Sequence, residues 1–285
     1  MRSLGSILTA IATPFDAEGD VDEDAFVTLQ RHVCEQGSDG VVVAGTTGEA
    51  PTLSDDEHLR LVELAVRERP AGSTVIAGAG SNDTRHACAM TAAVTELGAD
   101  GVLSVTPYYN RPSRRGILAH FAAVARSTDR PIVLYNIPSR TATDMPNDLL
   151  AELAQLDHVE AVKQANTPNL ALVDGLGLYA GNDDIVARTL DLGGVGGICV
   201  ASHLFGAEFR AMVDEPDRRT ELHASLADVF AVLGRHSPIP LKAALSMVGL
   251  CGPDLRLPLV AASEDEQADI RAMLERHGQL ETAAR

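Results

Sequence analysis

Pro131-Ile132-Val133-Leu134-Tyr135-Asn136-Ile137-Pro138-Ser139-Arg140-Thr141 opens as a short apolar run, closes it with a tyrosine, and carries an arginine in the loop beyond. Val159-Glu160-Ala161-Val162-Lys163 has the same form and closes in a lysine. Short apolar runs of this kind read as strands buried on both faces. A lysine ending such a strand is an unusual use of a charge. An ammonium is costly to bury, and a buried lysine tends to lose its proton. The neutral amine that results is what Schiff-base chemistry needs. The plainer reading is an apolar stem with its head in solvent, and these two segments alone leave both readings open.

The same form recurs along the chain. Apolar, β-branched runs lie at residues 7–12, 40–44, 74–77, 101–105, 131–134, 159–162, 177–180 and 195–200. Helical periodicity fills 22–36, 55–69, 84–97, 114–127, 147–156 and 182–192, while the connection 167–176 is shorter and weaker in pattern. Eight strands alternating with helices predict an α/β fold, a closed (β/α)8 TIM barrel. No GxGxxG follows the first strand, which argues against a dinucleotide fold. Helix starts are marked at Asp22, at Ser54 with Glu57 in a capping box, at Ser81 or Asn82, and at Pro146-Asn147-Asp148. Beyond Ala201 the pattern is wholly helical, with helices expected at 220–233, 240–248 and 263–276. Residues 1–205 therefore read as the barrel and 206–285 as a C-terminal helical extension packed on it, with no linker between them.

Composition narrows the partners. Net charge is −17, from 23 basic and 40 acidic residues, which disfavours nucleic acid or an anionic membrane bound through a broad basic face. No run approaches a membrane span, and Met1-Arg2-Ser3-Leu4-Gly5 leads into the first strand without the apolar core of a signal peptide. The four cysteines lack CxxC spacing and read as reduced thiols of a cytoplasmic protein. Histidines show no HxH or HExxH spacing, so no metal site is expected, and His58 and His86 read as helix-surface residues.

Barrel enzymes carry their chemistry at the C-terminal ends of the strands. There strand 2 offers Gly45-Thr46-Thr47-Gly48-Glu49, whose hydroxyls and backbone N–H groups suit a carboxylate. Strand 4 offers Tyr108-Tyr109-Asn110, strand 5 Tyr135 and Arg140, strand 6 Lys163, and strand 7 Gly181-Asn182. Strand 8 carries Gly196-Gly197-Ile198. Each has a bland alternative, a glycine-rich turn or an interface tyrosine, but four strand ends converge on one chemistry.

In their order and spacing these motifs resemble the pyruvate-dependent class I aldolases of the dihydrodipicolinate synthase and N-acetylneuraminate lyase superfamily. The resemblance runs from Gly5 to Pro258. Arg140-Thr141 and Ser237-Pro238-Ile239-Pro240-Leu241-Lys242 are similar to the synthase branch. It implies that Lys163 forms a Schiff base with pyruvate and that Thr46 and Thr47 hold the pyruvate carboxylate. It further implies that Thr46, Tyr135 and a neighbouring subunit's tyrosine, matching Tyr109, relay protons. Arg140 would bind the carboxylate of aspartate semialdehyde, and Gly181 and Ile198 would line the pocket through backbone groups. A homodimer or homotetramer follows, with no metal or organic cofactor beyond the covalent lysine–pyruvate adduct. Two positions depart from the pattern. Gln164 replaces a frequent glutamate, on a side chain that strand alternation turns away from Lys163, and Asn182 replaces a frequent aspartate. The alternatives are an aldolase for a sugar-derived 2-oxo acid, against which Arg140 counts, and a non-catalytic barrel that binds an oxo acid.

Overall fold

The computed structural model describes residues 4–280. Met1–Ser3 and residues 281–285, the outer ends of the two expected segments, lie outside the described residues. In chain order the elements are β1 (Ile7–Ala10), α1 (Glu23–Glu35), β2 (Gly40–Val43), α2 (Asp55–Glu68), β3 (Thr74–Gly78), α3 (Thr84–Glu96), β4 (Gly101–Val105), α4 (Arg114–Ala125), β5 (Ile132–Asn136), α5 (Pro138–Thr141), α6 (Asn147–Leu153) and β6 (Val159–Gln164). They continue with β7 (Gly177–Ala180), α7 (Val186–Asp191), β8 (Gly196–Cys199), α8 (Ser202–Asp214), α9 (Arg219–Ser225), α10 (Ala227–Leu233), α11 (Ile239–Met247) and α12 (Glu264–Arg276). The eight strands pair in sequence order, all parallel, and β8 returns to β1 to close the barrel.

Period-two alternation sorts the strand side chains. Leu8, Val42, Ile76, Leu103, Val133, Ala161, Tyr179 and Ile198 turn inward and fill the barrel. Their neighbours Ile7, Val41, Val75, Val102, Leu134, Val162, Leu178 and Cys199 turn outward into the larger core under the helices. The barrel closes where a side chain would not fit: a Cβ on Gly196 would lie 1.9 Å from the Ser6 carbonyl oxygen. No helix among the described residues is long and apolar enough to cross a membrane.

Local signals fared unevenly. Asp22 caps α1 by accepting from Ala25 N, and the Ser54–Glu57 capping box is present. The start of α3 is instead capped by Asp83, which accepts from Arg85 N, while Ser81 Oγ accepts from Asp83 N. Both residues satisfy backbone donors, but only Asp83 directly precedes the helix. Residues 167–176 hold a single 3-10 turn, Thr167–Asn169, and no α-helix, because Pro168 and Gly175 interrupt a connection already too short for one. The expected 220–233 helix breaks at Leu226, where φ −99° and ψ 9° leave the helical region. The division drawn at 205/206 falls inside α8, at Phe205, whose φ −122° and ψ 31° kink the helix.

A histidine of α8 makes the fold sensitive to acid. His203 is fully buried. Its Nε2 accepts from Ala12 N at 3.1 Å and its Nδ1 donates to Val200 O at 2.7 Å, so both nitrogens are satisfied in the neutral ring. Protonation would set a second N–H against that of Ala12. Burial accordingly holds the His203 pKa down to about 4. Because an unfolded histidine titrates near 6.5, the unfolded chain holds more protons between these values and stability rises with pH across that window. About 3 kcal/mol should be lost as pH falls from 6.5 to 4, with His58 and His120, also lowered by burial, steepening the slope. Urea unfolding at pH 7 and pH 4.5 should show the loss, and His203→Gln should flatten it.

Candidate active site

Lys163 is the penultimate residue of β6, on the inward-facing register of Ala161, and is 5% exposed. Parallel pairing sets it beside Tyr135 of β5 and Tyr179 of β7. Its Nζ lies 4.3 Å from the centre of the Tyr135 ring. The apolar sequence Val133-Leu134-Tyr135 thus delivers a phenol, itself 5% exposed, against the amine, and the register rather than any loop fixes the pair. Tyr135, though not Lys163 itself, lines a cavity of about 530 Å³. Thr46, Tyr135, Ile137, Arg140 and Ser237 line it.

The other expected residues take distinct places. Thr46 lines the cavity, whereas its neighbour Thr47 is buried and does not. Arg140 sits at the rim on α5, exposed, with one of its N–H donors given to Ser237 O at 3.2 Å. Gly181 follows β7 and donates to Gln164 O at 2.8 Å; a Cβ there would lie 2.8 Å from Ala165 N, so only glycine lets the two strand ends approach. Ile198 is buried inside the barrel in the same cluster as Tyr135 and Tyr179. Tyr109 stands apart, 88% exposed at φ +71°, and does not line its own cavity, which Tyr108 lines instead.

The two departures are built in. Gln164 faces outward, as alternation requires, and is buried. Its Oε1 accepts from Asn136 Nδ2 and Asn166 N, each at 3.0 Å. Asn136 and Asn169 also donate to Asp144, so an amide network ties the ends of β5 and β6 behind Tyr135 and Lys163. Asn182 Nδ2 donates to Ala165 O at 3.2 Å.

His58 corrects an expectation. It is not on the helix surface: its Nε2 donates to Gly78 O at 2.6 Å, it lines the cavity, and burial lowers its pKa. His86 is half-buried at the cavity edge, paired with Asp55 at 3.0 Å. Sequence reasoning missed Glu49 and Lys242 as partners. Both stood inside quoted motifs, but nothing local signals that two charges so far apart in the chain meet inside the protein.

Known proteins resemble this chain over nearly its whole length. Residues 3–277 match the model of the Dihydrodipicolinate synthetase family. A 4-hydroxy-tetrahydrodipicolinate synthase from Synechococcus elongatus is 42% identical over 95% of this chain and 94% of its own length. One from Thermosynechococcus vestitus is 38% identical over 99% and 100%. The crystal structure of a chloride-inhibited dihydrodipicolinate synthase from Acinetobacter baumannii, complexed with pyruvate, superposes with a TM-score of 0.94 at 33% identity, covering 98% of this chain and all of that one.

Proposed function

The chain belongs to the Dihydrodipicolinate synthetase family, and on that premise we propose that it is a lyase condensing pyruvate with L-aspartate 4-semialdehyde to 4-hydroxy-tetrahydrodipicolinate, a step of diaminopimelate and lysine biosynthesis. The observation that carries this reading is the buried Lys163 amine stacked on Tyr135, whose ring lines a cavity together with Thr46 and Arg140.

The chemistry runs on these side chains. Lys163 Nζ attacks the keto carbon of pyruvate, and loss of water gives an imine. Thr46 and Thr47 hold the carboxylate through hydroxyl and backbone donors. The protonated imine draws electrons from the neighbouring methyl, which loses a proton to the tyrosine relay and becomes an enamine. The enamine carbon bonds to the aldehyde carbon of the second substrate, whose oxygen takes up a proton. That substrate's amine then displaces Lys163 from the imine carbon and closes the ring, so the single water lost at imine formation balances the reaction. The lysine imine is the electron sink, which is why the reading includes no metal or organic cofactor. Four unpaired cysteines support a reducing, cytoplasmic setting, and the exposed Tyr109 supports a homodimer or a homotetramer built from such dimers.

Turnover of pyruvate with aspartate semialdehyde tests the proposal, and turnover of a sugar aldehyde in its place would overturn it. Arg140 separates the two substrates. Arg140→Ala removes a guanidinium that can grip a carboxylate with two N–H bonds. It should lower kcat/KM for the semialdehyde by roughly 10- to 100-fold, the worth of hydrogen bonds to a charge. Trapping of pyruvate on Lys163 should survive in that variant.

A further inference from the structure

The described residues bury two lysines, Lys163 and Lys242, and the reaction uses only the first. The side chains of Lys242 and Glu49 are both 0% exposed, and Nζ meets Oε1 at 2.9 Å. Lys242 Nζ and the Arg256 guanidinium both lie over the Phe15 ring, 4.3 and 4.4 Å from its centre. The other carboxylate oxygen, Oε2, accepts from Arg256 N at 3.1 Å. A buried ion pair is a weak source of stability, because desolvation of both charges offsets their attraction. Its location says more. Glu49 ends the turn that carries Thr46 and Thr47, and it sits at φ +54°, a left-handed conformation unusual for a glutamate. Its N–H donates to Thr46 O at 3.2 Å, and its own carbonyl accepts from Thr52 N and Thr52 Oγ1. The turn is therefore held at its far end by one carboxylate, and that carboxylate is held by the C-terminal extension: Lys242 from α11 and Arg256 from the segment after it.

We propose that the Glu49–Lys242 pair is a positioning device that holds the Thr46–Thr47 turn in the geometry that binds the pyruvate carboxylate, so that the C-terminal extension contributes to the affinity of the site through this turn. The proposal rests on the functional reading above. Neither residue is hydrogen-bonded to Lys163 or Tyr135, so the pair acts on pyruvate labelling through the Thr46–Thr47 turn and its hold on the carboxylate.

The test is the pyruvate concentration that half-saturates borohydride labelling of Lys163, measured alongside the melting temperature. Glu49→Met with Lys242→Met replaces the pair by apolar chains of similar volume, an exchange that is often neutral for stability. That double variant should melt near the wild type, need about tenfold more pyruvate or more, and label at saturation within about threefold of the wild-type rate. Glu49→Gln keeps the volume but cannot accept from both donors, and should shift half-saturation by about fivefold or more. It decides the matter if the double variant does not fold. Half-saturation within about twofold of wild type in a folded variant overturns the proposal. So does a loss confined to the saturated rate. A wild-type chain that takes no label overturns the functional reading itself, and the pair's role falls with it; a labelled wild type beside an unchanged variant overturns the pair alone.

Discussion

Lys163→Ala is expected to lower turnover of pyruvate with aspartate semialdehyde by about 10³-fold or more, a loss of at least about 4 kcal/mol of transition-state stabilisation. In the proposed mechanism the amine is the reacting atom: without it no imine would form, and the pyruvate methyl would have no electron sink to acidify it. The position also leaves no substitute. Lys242, the other buried lysine, is engaged by Glu49 behind the threonine turn. Reduction with borohydride in the presence of pyruvate, followed by peptide mass spectrometry, should find the adduct on Lys163 in the wild type and none in the variant. Retained activity in Lys163→Ala, or a label on another residue, would remove the Schiff base from the mechanism. Stability should change little, because alanine relieves a buried amine of desolvation while giving up only the packing of its stem.

The second large effect concerns a residue outside its own pocket. Tyr109 is 88% exposed, in a loop stiffened by Pro107 and Pro112 and pinned by Asn110 Nδ2, which donates to Asn82 O at 2.9 Å. A tyrosine so presented is suited to cross a two-fold interface into a partner's cavity, and symmetry makes the exchange reciprocal. Tyr109→Phe should cost about 10²-fold or more in kcat, as loss of a group in a proton relay does. Complementation then decides where it acts. In a mixed dimer of Tyr109→Phe and Lys163→Ala chains, one pocket would combine an intact Lys163 from one chain with an intact Tyr109 from the other. That pocket should recover activity, while the opposite pocket carries both lesions. If Tyr109 served its own chain, every pocket would keep one lesion. Verified heterodimers without activity would therefore exclude the shared site.

Much of this protein was legible before any coordinates. The alternation of short apolar runs with amphipathic helices is local information, and once eight such units are present the parallel barrel follows from burying both faces of each strand. The same locality exposed the site. Strands of one barrel run the same way, so the residues ending 131–135 and 159–163 must emerge at one mouth, and Lys163 and Tyr135 do pair in register. Inward or outward facing was equally readable from the period of two, as Gln164 illustrates. Short-range grammar failed where several residues competed for one role, as at Ser81, Asn82 and Asp83, and where the expected 220–233 helix breaks at Leu226.

What only the tertiary structure decided are the meetings of residues far apart in the chain. Glu49 and Lys242 are 193 positions apart, and Arg256 lies further still. In sequence each is an ordinary charge that a solvated face would explain. His58 likewise looked like a surface residue until Gly78 O was found at its ring. The physical reason is the same in each case. A strand or helix states its own pattern through nearest neighbours, whereas the cost of burying a charge, and the partner that offsets it, depend on which distant element covers it. The barrel, and the place of Lys163 at the end of one of its strands, were written in local periodicity; how the Thr46–Thr47 turn is held at Glu49 was decided by the packing of the C-terminal helices.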